Sequence, residues 1–323
     1  MIVLGMPLVW VLQDVVVLAV TTVTVVFVIR REQRPAQIVL ELFCFILFYA
    51  GAYENLGTIL PLYHYGRSLI MIANVPITVP IIEYLVVYGA LRMLGRMNIR
   101  TWCKPLVVGL FGMLQDFTLD PLAVRQVFET AGGAIGRWSW VMGAGDVNIA
   151  GIPVFNFPGW MLILGWGSAF LLLGRWWFAR SGQRLLVGWV YPVLSMLGAL
   201  LLLVSPVSQF LLWLAPFFRK GSPVEWVLLA VHVAAPLAVL AFAWRGRMLR
   251  PLTLRGDLPV FLVPVAFHAS DFICTLIGGY TEILWIEVFF TLVHLAILLA
   301  VFLTGRAVVR TVGARKVAAG AAG

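Results

Sequence analysis

Charge is scarce in this sequence, and so are the residues that staple or metallate small domains. Only 11% of its 323 residues are Asp, Glu, Lys or Arg, against about 25% in an average soluble domain. A chain this poor in charge cannot clothe a water-facing surface, which excludes a soluble globular domain. The three cysteines, Cys44, Cys103 and Cys274, stand far apart with no C-x-x-C spacing. That excludes a disulfide framework and a cysteine-based zinc or redox centre. No metal, nucleotide or flavin motif is present, so no cofactor and no metal site is implied. Internal repeats and low-complexity segments are lacking too.

What fills the chain is apolar. Hydrophobic residues make up 62% of it, and the mean hydropathy is +1.00. They run in unalternated stretches of the length that crosses a ~30 Å hydrocarbon core as a helix. Backbone polar groups in lipid must be satisfied within the chain, and long unalternated runs favour helices over barrel strands. The sequence therefore predicts an all-α, polytopic membrane helix bundle of about nine spans. They fall at 7–29, 38–56, 74–94, 105–120, 153–174, 186–217, 224–244, 258–277 and 283–304. The sixth is too long for one simple crossing, and Ser205-Pro206 is placed to interrupt it. Residues 1–314 form one helical domain, followed by a short flexible tail over 315–323. The first span is too long and lacks the basic flank of a cleaved signal, so it is expected to stay as a helix.

The basic residues orient this map. Of 23 Lys and Arg residues, only Arg67, Arg125, Arg137, Arg219 and Lys220 fall on one side, leaving 18 on the other. The positive-inside rule then places the amino terminus outside and the carboxy terminus in the cytoplasm of a multi-pass cell-membrane protein. The net charge of +9 is thereby a topological signal. It calls for no nucleic-acid partner and suits anionic membrane lipids.

Ionisable residues inside spans are costly and mark functional candidates. Asp14, Glu41 and Glu83 lie within spans, whereas Glu54, Asp116, Asp120, Asp271 and Glu282 fall at outer ends. Asp116 and Asp120 are four apart and share a helix face, which Gly109 and Gly112 continue, allowing close approach of a neighbour. Two carboxylates in a water-poor site repel when both are ionised, so one is expected to keep its proton, giving an acid beside a base. The plainer alternative is that each carboxylate meets headgroup water or pairs with Arg125 or Arg137. His232 and His294 are expected as satisfied core groups. His64 sits in the aromatic cluster Tyr63-His64-Tyr65, directly after Tyr53-Glu54-Asn55. Tyr53, Tyr65, Trp138, Trp140 and Trp160, with the polar Asn156 amid Phe155-Asn156-Phe157, suggest an aromatic pocket with a few polar groups. Aromatic faces also stabilise a developing carbocation.

These motifs occur in one order: Tyr53-Glu54-Asn55-Leu56-Gly57, Tyr63-His64-Tyr65, Asp120-Pro121, Gly136-Arg137-Trp138-Ser139-Trp140 and Gly151-Ile152-Pro153 through Asn156 to Trp160. Over about residues 50–175 that order resembles the membrane-bound carotenoid biosynthesis family, which includes carotenoid hydratases of the bisanhydrobacterioruberin and γ-carotene type. Leu114-Gln115-Asp116-Phe117-Thr118-Leu119-Asp120-Pro121 and the last three spans are more similar to the polyketide spirocyclases of avermectin-type pathways. Either resemblance implies a cofactor-independent enzyme moving water or a hydroxyl on a long lipophilic small molecule.

The leading expectation is a hydro-lyase that hydrates a terminal isoprenoid double bond. Asp116 and Asp120 would be the acid–base pair, with Glu54 next and Glu83 as a deeper reserve. Tyr53, His64 and Asn156 would position water, and Tyr65, Trp138, Trp140 and Trp160 would shape the pocket. Spiroketal formation by loss of water is the alternative reaction. A proton-coupled transporter of a lipophilic molecule is the alternative class, and would depend on Asp14, Glu41 and Glu83.

Overall fold

The computed structural model describes residues 1–130, 133–213, 221–244 and 246–320, with side chains left out at 130, 213 and 306–320. Arg219 and Lys220 lie outside the described residues, as does the tail beyond Gly320. Within them the chain is a helical bundle. Its helices are α1 (Leu8–Arg31), α2 (Pro35–Ile59), α3 (Thr78–Leu94), α4 (Lys104–Ala123) and α5 (Asn156–Arg180). There follow α6 (Leu185–Leu203), α7 (Pro206–Trp213), α8 (Val224–Trp244), α9 (Leu258–Gly278) and α10 (Leu284–Gly320). Eight helical segments are long and apolar enough to cross a membrane. The third expected span is α3, whose 17 residues reach about 26 Å at 1.5 Å per residue, and it is not among the eight.

Two helices form the middle of the bundle. Every residue over 80–91 of α3 and 107–118 of α4 is buried. A helix apolar on all sides belongs inside other helices. The outer helices turn large apolar side chains outward, among them Val23 and Ile29 of α1, Leu194 and Leu201 of α6, and Leu292 and Leu299 of α10. Surfaces of that kind suit lipid rather than water.

α4 and α5 make the most extensive helix contact among the described residues. Gly109 lies where a β-carbon would run into the Met161 backbone, and Gly112 where it would meet Leu164. The close approach expected from these two glycines is therefore made, and α5 is the neighbour that uses it. In α2 the helix is interrupted by a π-turn over Ile46–Ala50, closed by the Gly51 N–H on the Ile46 carbonyl. A β-carbon on Gly51 would press into that carbonyl. The long sixth run breaks where expected: α6 ends at Leu203 and α7 begins at Pro206.

One boundary is corrected. The fourth span does not end at Asp120-Pro121. Pro121 sits inside α4, which continues to Ala123, because a proline late in a helix forfeits one donor without forbidding the last turn. Short strand pairs in the loops accompany the all-α bundle. β1 (Tyr63–Tyr65) pairs antiparallel with β4 (Trp138–Trp140), and β2 (Val127–Thr130) with β3 (Gly133–Gly136). These short ladders satisfy the backbone of loops that fold back over the bundle end.

Two mid-span acids are neutralised by arginines. Asp14 is 0% exposed and takes an ion pair from Arg137 at 2.8 Å, with Ser68, the Leu69 N–H and Thr78 also donating to it. Glu41 is held by Arg175 and by the Tyr191 hydroxyl. Breaking a buried pair from one side strands a charge. Arg137→Ala is expected to destabilise the protein by about 3–5 kcal/mol, read as a lowered Tm in detergent. The double variant Asp14→Leu/Arg137→Leu should recover much of that loss, and a double variant as unstable as the single would refute the assignment.

Candidate functional site: a cluster of four carboxyl groups

α2, α3 and α4 each bring carboxyl groups to one place. Glu54, Glu83, Asp116 and Asp120 are between 0% and 3% exposed. Asp116 and Asp120, one turn apart on α4, lie within hydrogen-bonding reach of each other, as do Glu54 and Glu83. The two pairs adjoin. None of the ion pairs among the described residues reaches any of the four. The arginines that a plainer reading would assign to them are engaged elsewhere. Arg125 binds Glu282 at 2.7 Å and the carbonyls of Pro121 and Ala150, and Arg137 binds Asp14.

Neutral donors hold the cluster instead. The Asn156 amide, on the first turn of α5, donates to Asp116 Oδ2 at 2.8 Å and to Asp120 Oδ2 at 2.6 Å. Both of its N–H groups are thereby used, one on each carboxyl. Tyr63 and Tyr65 donate to one oxygen of Glu54, at 2.8 Å and 2.6 Å. Burial raises both phenols well above the usual tyrosine range, and the neighbouring Glu54 charge pushes the same way. They therefore stay neutral donors. Glu83 meets no other donor, and the outer oxygens of Asp116 and Asp120 are likewise without one among the described residues. Two touching carboxylates sealed from water and from cations cannot both be ionised without a cost of several kcal/mol. Each pair is thus a place for a shared proton.

An aromatic cavity of about 190 Å³ opens beside the cluster. Tyr53, Tyr63, Trp138, Trp140, Phe155 and Trp160 are among its walls, and Glu54 and Asn156 are the polar groups nearest the cluster. The walls lock one another. Tyr63 packs edge-on to Trp140 at 4.8 Å and to Trp138 at 5.6 Å, and Trp140 edge-on to Phe155 at 5.7 Å. The far rim carries Leu60 and Val204, which are 56% and 39% exposed on the outside of the bundle. Gln209 of α7 is a further polar group on the wall, and α7 is pinned by the Trp166 indole on Ser208.

The expected site residues come together apart from His64, and Tyr65 reaches Glu54 without lining the aromatic cavity. His64 is exposed, because alternation along β1 aims it away from Tyr63 and Tyr65. Tyr63 takes the place that His64 was expected to have, and period-two spacing within Tyr63-His64-Tyr65 was the signal for it. Asp116, Asp120 and Glu83 do not line the cavity. Asn156 stands between the aspartates and the open space, so Glu54 is the carboxyl at the front. Both His232 and His294 are satisfied buried groups, as expected: His232 bonds the Leu228 carbonyl, and His294 meets His268 at 2.9 Å, which meets Thr118, which donates to Asp271.

Comparison with known protein families, characterised proteins and solved structures finds no match for this chain.

The shared-proton arrangement has a spectroscopic consequence. At neutral pH the purified protein is expected to show the infrared C=O stretch of protonated carboxyls, and Asp120→Asn and Glu54→Gln should each remove part of it. A spectrum without such a band in the wild type would mean that all four groups are ionised.

Proposed function

We propose that this protein is a membrane-embedded, cofactor-independent acid–base enzyme of the hydro-lyase class. Its proposed substrate is a long lipophilic molecule, and its reaction the hydration of a terminal isoprenoid double bond of a carotenoid. The observation that carries this reading is the placement of Glu54, within a cation-free carboxyl cluster, at the wall of an aromatic cavity. An apolar cavity of about 150 Å³ admits a benzene-sized group. A cavity slightly larger suits the end of a chain, with the remainder lying along the bundle in the bilayer.

A trisubstituted alkene is a weak base, so it needs a positioned, strong acid in a dry site. On this proposal Glu54 gives its proton to the less substituted carbon of the terminal double bond, whose π electrons form the new C–H bond. The tertiary cation left behind is stabilised by the faces of Tyr63 and Trp140 and by the negative charge now spread over the cluster. The oxygen of a water molecule bonds to the cation, and the proton that water sheds returns to the carboxylate. Glu83, Asp116 and Asp120 hold and redistribute charge behind Glu54, with Asn156 fixing the aspartates. Mid-span acids open to a water path would favour a transporter instead, but Asp14 and Glu41 are each closed by an arginine.

The proposed setting is the cell membrane, crossed nine times with α3 as one crossing, amino terminus outside and carboxy terminus in the cytoplasm. The cluster then lies toward the outer leaflet. Expression in a bacterial host that accumulates lycopene tests the activity. Wild type is expected to yield pigment heavier by one water in mass spectra, and Glu54→Gln and Asp120→Asn to yield none. An unchanged pigment profile, with the protein verified in the membrane, would remove the carotenoid and turn the search to polyketide ketols.

A further inference from the structure

A second space is lined by α1, α3, α4 and α9, and adjoins the aromatic cavity at Trp138, which lines both. Its volume is about 50 Å³, enough for roughly three or four waters at ~10–15 Å³ each. Most of its lining is apolar, as in the first, and the polar groups stand at a few points. Gln13, Gln115, Ser270 and Asp271 bring polar groups to its wall, and three of these four are 5% exposed or less. Neither polar atom of the Gln13 side chain, nor Oε1 of Gln115, has a hydrogen-bond partner among the described residues. A buried amide left unbonded costs about 1–3 kcal/mol. A polar, roomy site with orphaned donors and acceptors is where buried water resides.

This space touches the acid cluster at one residue. Tyr65 lines it, and the Tyr65 hydroxyl donates to Glu54 Oε2 at 2.6 Å. Tyr63 donates to the same oxygen at 2.8 Å but lines the aromatic cavity and not this space. From the opposite side the space receives the line of His294, His268 and Thr118, which ends on Asp271 Oδ2. One assignment of hydrogens satisfies each link in turn: His294 donates to His268, His268 to the Thr118 oxygen, and Thr118 to the carboxylate.

We propose that the space between Gln13, Gln115, Ser270 and Asp271 is a water chamber serving Glu54 through the Tyr65 hydroxyl. A proton passes to Glu54 as the phenol hands on its own hydrogen and accepts another from chamber water, so Tyr65 is a positioning residue. Its role in turnover rests on the hydro-lyase reading, where it sets the proton on Glu54 before the alkene binds; the phenol relays protons only, and the water that is added does not pass through it.

Hydrogen–deuterium exchange of the buried carboxyls tests the chamber without any substrate, so its outcome is independent of whether the carotenoid assay succeeds. The full-length protein in lipid nanodiscs is transferred to D2O and the isotope shift of the protonated C=O band is followed in time. Tyr65→Phe is expected to slow exchange about tenfold, roughly what loss of one hydrogen-bonded link is worth. Tyr63→Phe removes an equivalent bond to the same oxygen and is expected to leave the rate unchanged. Ser270→Leu fills the chamber without touching Glu54 and should slow exchange as Tyr65→Phe does. Exchange at the wild-type rate in Tyr65→Phe, or equal slowing by both tyrosine variants, overturns the proposal. Should Ser270→Leu fail to fold, the tyrosine pair decides alone.

Discussion

A carboxylate sealed away from water needs a cation, a shared proton or several neutral donors, because its solvation in a dry interior is too weak to hold the charge alone. The boundary between the first two solutions organises the site of this protein. Asp14, Glu41 and Asp257 each have an arginine. Glu54, Glu83, Asp116 and Asp120 have none, and are paired with one another instead. The rest of the site follows from that choice. Neutral donors are required where cations are absent, which is the place of Tyr63, Tyr65 and Asn156. Aromatic walls are required to keep water from the front carboxyl, and they interlock at right angles because edge-to-face contacts hold rings rigidly.

The arginines have a second role in this arrangement. Arg137 reaches over from the loop between β3 and β4 to Asp14 on α1 and to the Trp10 carbonyl. That bond ties the strand pair to the bundle, and the strand pair carries both tyrosines and two tryptophans of the site. The structural ion pair and the chemical cluster are therefore mechanically joined while remaining electrically separate.

Much of this was legible in the sequence, for identifiable reasons. Hydrophobic runs of span length gave the helices. Spacing of four gave the shared face of Asp116 and Asp120, and Gly109 and Gly112 gave the close approach of α5. An amide among aromatics marked Asn156. What stayed hidden were contacts between distant segments. Nothing in the spacing of Glu54 and Glu83 brings them together; their meeting depends on how α2 and α3 dock. His64 was misplaced because Tyr63-His64-Tyr65 was read as one cluster, without the period of two that a three-residue strand imposes. The order of the carboxyls was inverted for a related reason. The sequence shows which acids share a face, but which of them looks onto open space is decided by the helix that covers the others.

The π-turn in α2 sets the aim of the front carboxyl. One extra residue in a helical turn rotates all that follows by about 100° around the axis, and Glu54 lies just beyond it. A strictly α-helical version of the same segment would be as apolar and as able to span, yet would point that side chain toward a different neighbour. Gly51 is the residue that tolerates the tight carbonyl contact closing the turn. The bundle is thus indifferent to the length of this segment, whereas the chemistry is phased to it. Insertions and deletions along α2 divide accordingly, into those that preserve the angular register of Glu54 and those that leave a well-folded protein with its acid facing the wrong way.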